Sequence, residues 1–193
     1  MVKVTGTLPQ LTISGYQVSL EPLHENDIMQ LRAWRNSEFV RHKMLSSDTI
    51  TELQQRNWFS KIQNDPQQCH WVVRYKGAAI GTTNIKVPSD SSATSVSVAK
   101  ALEPGLYIGE PTYQGNIIAF APTLALYDYC FDYLNINTLQ ATVKADNRSA
   151  LNYNEKLGYE TVSRSDDGCW VTLCITKARY EEATTMIKRF LSR

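Results

Sequence analysis

In the run SVSVAKALEPGLYIG (95–109), strand-type side chains continue until Pro104 and Gly105 stand side by side. Proline cannot donate to a neighbouring strand, and glycine has nothing to pack there. A strand interrupted by this pair marks a bulge, or a place where another backbone or a ligand comes close. The chain then turns through EPTYQGN into IAFAPTLALYDYCFDYL (118–134), where Phe120, Leu124, Tyr127, Phe131 and Leu134 recur at the helical period. Pro122 is compatible with that helix only within its first turn. Such a strand–turn–helix junction leaves backbone N–H groups unpaired at the positive end of a helix dipole. A pyrophosphate binds there without any lysine. Gln114 adds a side-chain donor, and Gly115 and Ala119 let a ligand approach the backbone closely.

Around this junction, period-2 and period-3.6 patterns alternate, which predicts a mixed α and β chain. YQVSLEPL (16–23) reads as a strand, and HENDIMQLRAWRN as a helix capped by Asn26 or Asp27 that presents Ile28 and Leu31. Thr51 and Gln54 form a capping box ahead of RNWFSKI. HWVVRYKGAAIGTTNIKV (70–87) predicts a hairpin turning at Lys76-Gly77, followed by a mobile polar loop, PSDSSATS. LQATVKA reads as a strand and NRSALNYNEKLG as a helix with Asn147 as its cap and Gly158 as its stop. ETVSR and WVTLCIT form a last strand pair before an amphipathic helix over 178–193. No repeat or linker divides the 193 residues, so one domain is expected, with residues 1–15 as an N-terminal extension.

Charge narrows the partners. Twenty basic against nineteen acidic side chains leave +1 net, which argues against a nucleic-acid binder that neutralises many phosphates. No apolar run approaches the roughly 20 residues of a membrane span, and no signal-peptide core opens the chain, so the expected location is cytoplasmic. Cys69, Cys130, Cys169 and Cys174 lack metal-ligand spacing and are expected as free thiols, with no metal.

Three segments together resemble the GNAT superfamily of acyl-CoA-dependent N-acetyltransferases, over roughly residues 16–176. Gln114, Gly115, Asn116, Ile117, Ile118 and Ala119 are similar to its Q/R-x-x-G-x-G/A loop, with Ile117 in place of the middle glycine. LEPGLYIGEP resembles its E-L-G-x-x-I strand, and DNRSALNYNEKLGYE its D-N-x-x-A-x-x-x-Y-E-K-x-G-F helix. The resemblance implies a single mixed, mostly antiparallel twisted sheet with a splayed central strand pair, flanked by helices. It implies acetyl-CoA as cofactor, held by the loop and by the amides of Leu106, Tyr107 and Ile108. Ile117 must then avoid positive φ and point away from the ligand.

The same resemblance makes Glu103 the candidate base toward the acceptor amine. It puts Asn154, which cannot deliver a proton at neutral pH, where a tyrosine acid usually stands. Tyr153 is one residue away and so about 100° around the helix, as a substitute acid or a core side chain. Asn147 and Asn154, seven residues apart, point the same way, and Asn154 falls within an apolar arc, where a polar amide needs a partner. The partner implied is the pantetheine or thioester end of the cofactor.

For the acceptor, LRAWRNSEFVRHKM followed by Ile50, Thr51, Trp58 and Phe59 resembles the branch that acetylates nucleotide-linked 4-amino sugars, as in the pseudaminic-acid pathway. Gln55 stands where that branch often has histidine. Arg32, Trp34, Arg35, Asn36, Arg41 and Trp58 are the substrate-binding candidates; the arginines would meet a diphosphate and the tryptophans would stack on a base or sugar. His24, His42 and His70 carry no motif. NYNEKLGY also closely resembles ribosomal-protein and peptide N-terminal acetyltransferases, the next-closest branch, so a peptide N-terminus stands as the alternative to a nucleotide-linked amino sugar as the amine acceptor. A non-catalytic acyl-CoA-binding module is the reading from another class, and a homodimer is compatible with all of them.

Overall fold

The computed structural model describes residues 2–44 and 46–192. Lys76 and Gly77, both with positive φ (50° and 79°), make the tight turn that joins β4 (Gln68–Tyr75) to β5 (Ala78–Lys86), as their sequence predicts. The N-terminal fifteen residues, to which sequence reading assigns no element, contribute β1 (Lys3–Thr5) and β2 (Thr12–Gly15). Leu11 and Ile13 are buried, and Trp71 Nε1 donates to the Leu11 carbonyl at 2.7 Å, which ties this hairpin into the core.

β3 (Val18–Pro22) leads through a 3₁₀ turn into α1 (Ile28–Asn36), α2 (Glu38–Arg41) and α3 (Glu52–Ile62). The Thr51–Gln54 capping box opens α3 as expected: Thr51 accepts from Gln54 N–H, and Gln54 Oε1 accepts from Thr51 N–H at 2.8 Å. After β5 the polar loop is pinned rather than loose. Val96 N–H donates to the Pro66 carbonyl at 2.9 Å, Gln67 Nε2 donates to the Ala93 carbonyl, and Val96 is buried. β6 therefore starts only at Ala101 and runs to Ile108.

The predicted 118–134 helix begins as a 3₁₀ turn over Ile117–Phe120 and continues as α4 (Ala121–Asp132), with Pro122 in its first turn. β7 (Thr138–Lys144), α5 (Arg148–Leu157), β8 (Glu160–Arg164), β9 (Trp170–Thr176) and α6 (Lys177–Leu191) complete the chain.

Among the described residues the strands form one sheet in the order β1-β2-β3-β4-β5-β6-β7-β9-β8, antiparallel except between β6 and β7. The pleat sends Trp71, Val73, Ile85 and Leu102 to one face, where α4 and α6 cover them with Leu124, Leu126 and Tyr180. Val72 and Tyr107 face the other way, toward Leu31, Trp34 and Phe59 of α1 and α3. Each fully buried large side chain contributes roughly 1.5–3 kcal/mol of transfer free energy, so the α4 face carries most of the stability. The α1–α3 layer is thinner and borders the cleft. Among the described residues no helix is long and apolar enough to cross a membrane.

Candidate active site

β6 and β7 pair only at Ala101–Thr138 and Leu102–Leu139, and beyond Leu102 they part. β6 stays paired to β5 on its other side through Ile108. In an antiparallel ladder alternate residues exchange hydrogen bonds with one neighbour, and those between point to the other side. Gly109 N–H donates to Ile80 O at 2.9 Å. Counting back through the register, Tyr107, Gly105 and Glu103 therefore bond to β5, while Pro104, Leu106 and Ile108 direct their polar groups into the gap. This explains Pro104: its missing N–H falls where no ladder partner stands. The ladder carries no bulge at this pair. A Cβ on Gly105 would collide with Asn84 Oδ1, so glycine is required by a close approach. Of the three amides expected to face a ligand, Leu106 and Ile108 do so, whereas Tyr107 N–H belongs to the ladder. Tyr107 instead sends its hydroxyl to the Leu31 carbonyl.

A cleft of about 1140 Å³ opens along this gap and continues over the α1–α3 face. At its α4 end, Gln114 Nε2 donates to the Ile108 carbonyl at 2.8 Å, which ties the turn to the end of β6. Gly115 has φ of 70°, and a Cβ there would meet open space. Asn116 caps the 3₁₀ turn through Ile118 N–H, and Ala119 N–H donates to the Asn116 carbonyl, so those two amides are occupied. The N–H groups of Gly115, Asn116 and Ile117 have no acceptor among the described residues. Three successive free amides, the first on left-handed Gly115, make a concave anion site. Ile117 avoids positive φ and stays outside the cleft lining, as required, with its side chain 40% exposed. Of this loop only Gln114, Gly115 and Ala119 line the cleft; the Asn116 and Ile118 side chains do not, and Ile118 is a core residue.

On α5, Asn147 caps Ala150 N–H at 3.1 Å and Gly158 ends the helix at φ 98°, as predicted. Asn147, Tyr153 and Asn154 all line the cleft. Asn154 Nδ2 donates one N–H to Ala150 O of its own helix at 2.9 Å, and its second N–H and Oδ1 have no partner among the described residues. Tyr153 donates to Ala119 O at 3.2 Å, meets the Thr123 hydroxyl at 2.6 Å and stacks on Phe120. Burial raises its pKa far above the usual phenol value. Its proton is committed to the turn.

Across the cleft, three of the six acceptor candidates, Arg32, Trp34 and Asn36, are structural. Arg32 donates to the Ile50 carbonyl at 2.9 Å. Asn36 clamps both polar groups of the Ile50 backbone at 2.8 Å. Trp34 is 7% exposed, with its ring in the space a Cβ on Gly109 would need, and Arg41 is outside the lining. Arg35 and Trp58 do line the cleft. Arg35 Nη2 donates to Ser46 O, and its buried Nη1 has no acceptor among the described residues. Glu103 also lines it, with Oε2 2.6 Å from Lys86 Nζ.

Sequence reasoning missed Gln55, His70 and Asn84, which line the same half. His70 meets Trp58 edge-on and its Nε2 donates to Gln68 Oε1 at 2.8 Å; burial lowers its pKa to about 4. No local motif announces His70 or Asn84, because the cross-strand pairs His70–Asn84 and Asn84–Gly105 bring them together; for Gln55 the signal is its place in the α3 motif, where the similar branch often has histidine.

Residues 17–160 match the family model described as an acetyltransferase (GNAT) domain. The N-acetyltransferase 9-like protein of Nematostella vectensis is 22% identical over 172 residues, 85% of each chain. Spermidine N-acetyltransferase from Vibrio cholerae, solved with CoA and spermine, has a TM-score of 0.71 at 18% identity, covering 85% of this chain and 98% of that one. Aminoglycoside acetyltransferase AAC(6')-Ib, solved with coenzyme A, has a TM-score of 0.70 at 16% identity, covering 86% and 98%. Both likenesses are of fold.

Proposed function

This chain belongs to the acetyltransferase (GNAT) domain family, and from that premise we propose that it moves acetyl from acetyl-CoA to the primary amine of a nucleotide-linked amino sugar. Acetyl-CoA supplies the activated acyl group as a thioester. The free amides of Gly115, Asn116 and Ile117 suit its pyrophosphate, and the open edge of β6 suits its pantetheine arm.

Leu106 and Ile108 N–H are the donors for the carbonyl oxygen on which charge develops. One such donor, fixed in place beforehand, contributes about 3–4 kcal/mol to the rate. Holding both reactants in one cleft adds the advantage of orientation. Glu103 is on the acceptor face, three residues before Leu106, which is about 10 Å of strand. At that distance its free Oε1 takes the amine's proton through water, while Lys86 holds Oε2. The Tyr153 proton is committed to the turn, Asn154 keeps a second N–H that can hydrogen-bond but not protonate the leaving sulfur, and a thiol pKa near ~8.5 makes an acid dispensable.

The observation that carries the acceptor class is the chemistry of the α1–α3 half. Trp58 offers an aromatic face, and Gln54, Gln55, His70 and Asn84 offer neutral hydrogen bonds. Arg35 and Lys43 offer positive charge for a diphosphate. The two carboxylates there are engaged, Glu103 with Lys86 and Asp48 with Ser46. A polyhydroxylated amine on an anionic carrier suits this lining better than a polycation does. CoA release should therefore be measured with UDP- and dTDP-linked amino sugars, spermidine and N-terminal peptides. Turnover of peptides or spermidine without sugars would overturn the acceptor class, and acetyl-CoA binding without turnover of any amine would favour a non-catalytic module.

A further inference from the structure

Three uncharged side chains in the acceptor half take no part in the transfer chemistry above. Gln55 is 5% exposed, lines the cleft, and its side-chain amide makes no hydrogen bond among the described residues. Its amide atoms are not sealed off but stay open to the cleft, where a ligand group can pair them. Asn84 also lines the cleft with its side-chain amide unpartnered among the described residues, lying over Gly105.

His70 is more tightly defined. Gln68 donates its NH₂ to Asp65 Oδ2 at 2.6 Å, and a carboxylate only accepts, so Gln68 Oε1 must be the atom facing His70 Nε2. The imidazole proton is then on Nε2, and Nδ1 keeps a lone pair with no donor among the described residues. Desolvation keeps the ring neutral. β4 is two strands from β6, roughly 10 Å at the usual strand spacing. At that spacing, and neutral down to about pH 4, His70 accepts a hydrogen bond and does not serve as the base for an amine held at Leu106. The spacing is the span bridged by a sugar ring and its substituents.

Resting on the N-acetyltransfer reading, we propose that Gln55, His70 and Asn84 form the acceptor-selecting pocket. They take the ring hydroxyls of a neutral sugar by hydrogen bonds and exclude a second cation. The exclusion comes from Lys86 in the next cross-strand row and Arg35 across the cleft, with Glu103 already paired. The three are specificity residues and none is a catalytic one.

The test uses the whole chain carrying Gln55→Met, His70→Phe or Asn84→Ala. Each is assayed with a UDP-linked amino sugar, with its analogue lacking one ring hydroxyl, and with spermidine. The KM for the sugar should rise about tenfold per variant, with kcat within about twofold and the KM for acetyl-CoA unchanged. The deoxy analogue should show that rise already with the wild type, and no further rise with the variant whose partner hydroxyl it lacks. Spermidine should be poor throughout. Equal losses on sugar and analogue together with a lower melting temperature would assign the three to packing, and an unchanged sugar KM would equally overturn the proposal. If the wild type acetylates no amine, the N-acetyltransfer reading fails by itself. The pocket is then judged by NMR: the UDP-linked sugar must move the His70 imidazole nitrogen resonances in the wild type, and in Gln55→Met the same shift must need about tenfold more sugar. Resonances that do not move in the wild type overturn it.

Discussion

Acidification should destabilise this protein through one imidazole. His70 is held neutral by burial, with its pKa lowered from 6.5 to about 4. Between those values the unfolded chain binds a proton that the folded chain refuses, so falling pH favours unfolding. The contribution is fully present above pH 6.5 and is lost as pH falls toward the folded value. The gap, at about 1.36 kcal/mol per pH unit, amounts to about 3 kcal/mol in all, of which about 2 kcal/mol is lost between pH 7.5 and pH 5. Carboxylates such as Asp65, whose pKa is lowered by its hydrogen bond from Gln68, titrate further down. The comparison that isolates His70 is the wild type against His70→Phe, which keeps an aromatic ring beside Trp58. Urea unfolding followed by tryptophan fluorescence at both pH values should show the stability difference between the two proteins shrinking by about 2 kcal/mol at pH 5. In thermal unfolding the same change is about 4–8 °C for a chain of this size. A difference that stays constant from pH 7.5 to pH 5 would mean that the ring is solvated, and would refute the burial argument.

Gly115→Val forces a left-handed backbone on a β-branched residue, although no atom obstructs the side chain. It should cost about 1–2 kcal/mol and raise the KM for acetyl-CoA about tenfold, and an unchanged KM would remove the turn from the cofactor site. Tyr153→Phe leaves the buried Thr123 hydroxyl without its partner, so stability should fall by about 1–3 kcal/mol with kcat within a few-fold. A hundredfold loss of kcat at unchanged stability would restore Tyr153 as the acid. Asn36→Ala breaks two hydrogen bonds to Ile50 and should cost about 2 kcal/mol by urea unfolding; a rise in the acceptor KM without lost stability would make Asn36 a substrate contact instead.

Where the controlling interaction is local, the chain could be read directly. The Asn147 cap, the Gly158 stop, the Thr51–Gln54 box and the Lys76-Gly77 turn each depend on residues within four positions, and each is where the reading put it. Pro104 was informative for a related reason: a residue without an N–H reports a strand edge without a partner. The acceptor half was misread because residue type does not reveal direction. Trp34, Arg32 and Asn36 read as ligand contacts by residue type, yet helix phase and the packing of Gly109 against Trp34 turn them to structural use. Asn154 shows both sides. Its phase toward the cleft followed from 3.6 residues per turn, but its hydrogen bond back to Ala150 depended on a side-chain rotamer that no pattern encodes.

By itself the sequence determined most elements after the N-terminal hairpin, the caps at Thr51 and Asn147, the strand–turn–helix junction and the order of the motifs, because hydrophobic periodicity and turn chemistry act over a few residues. Only the tertiary structure decided which amides of β6 open into the gap, since that depends on its register against β5 and its early parting from β7. The same register gathered Gln68, His70, Asn84 and Glu103 from three strands onto one face. Contacts between residues far apart in the chain are set by the packing of whole elements, and no short stretch of sequence contains them.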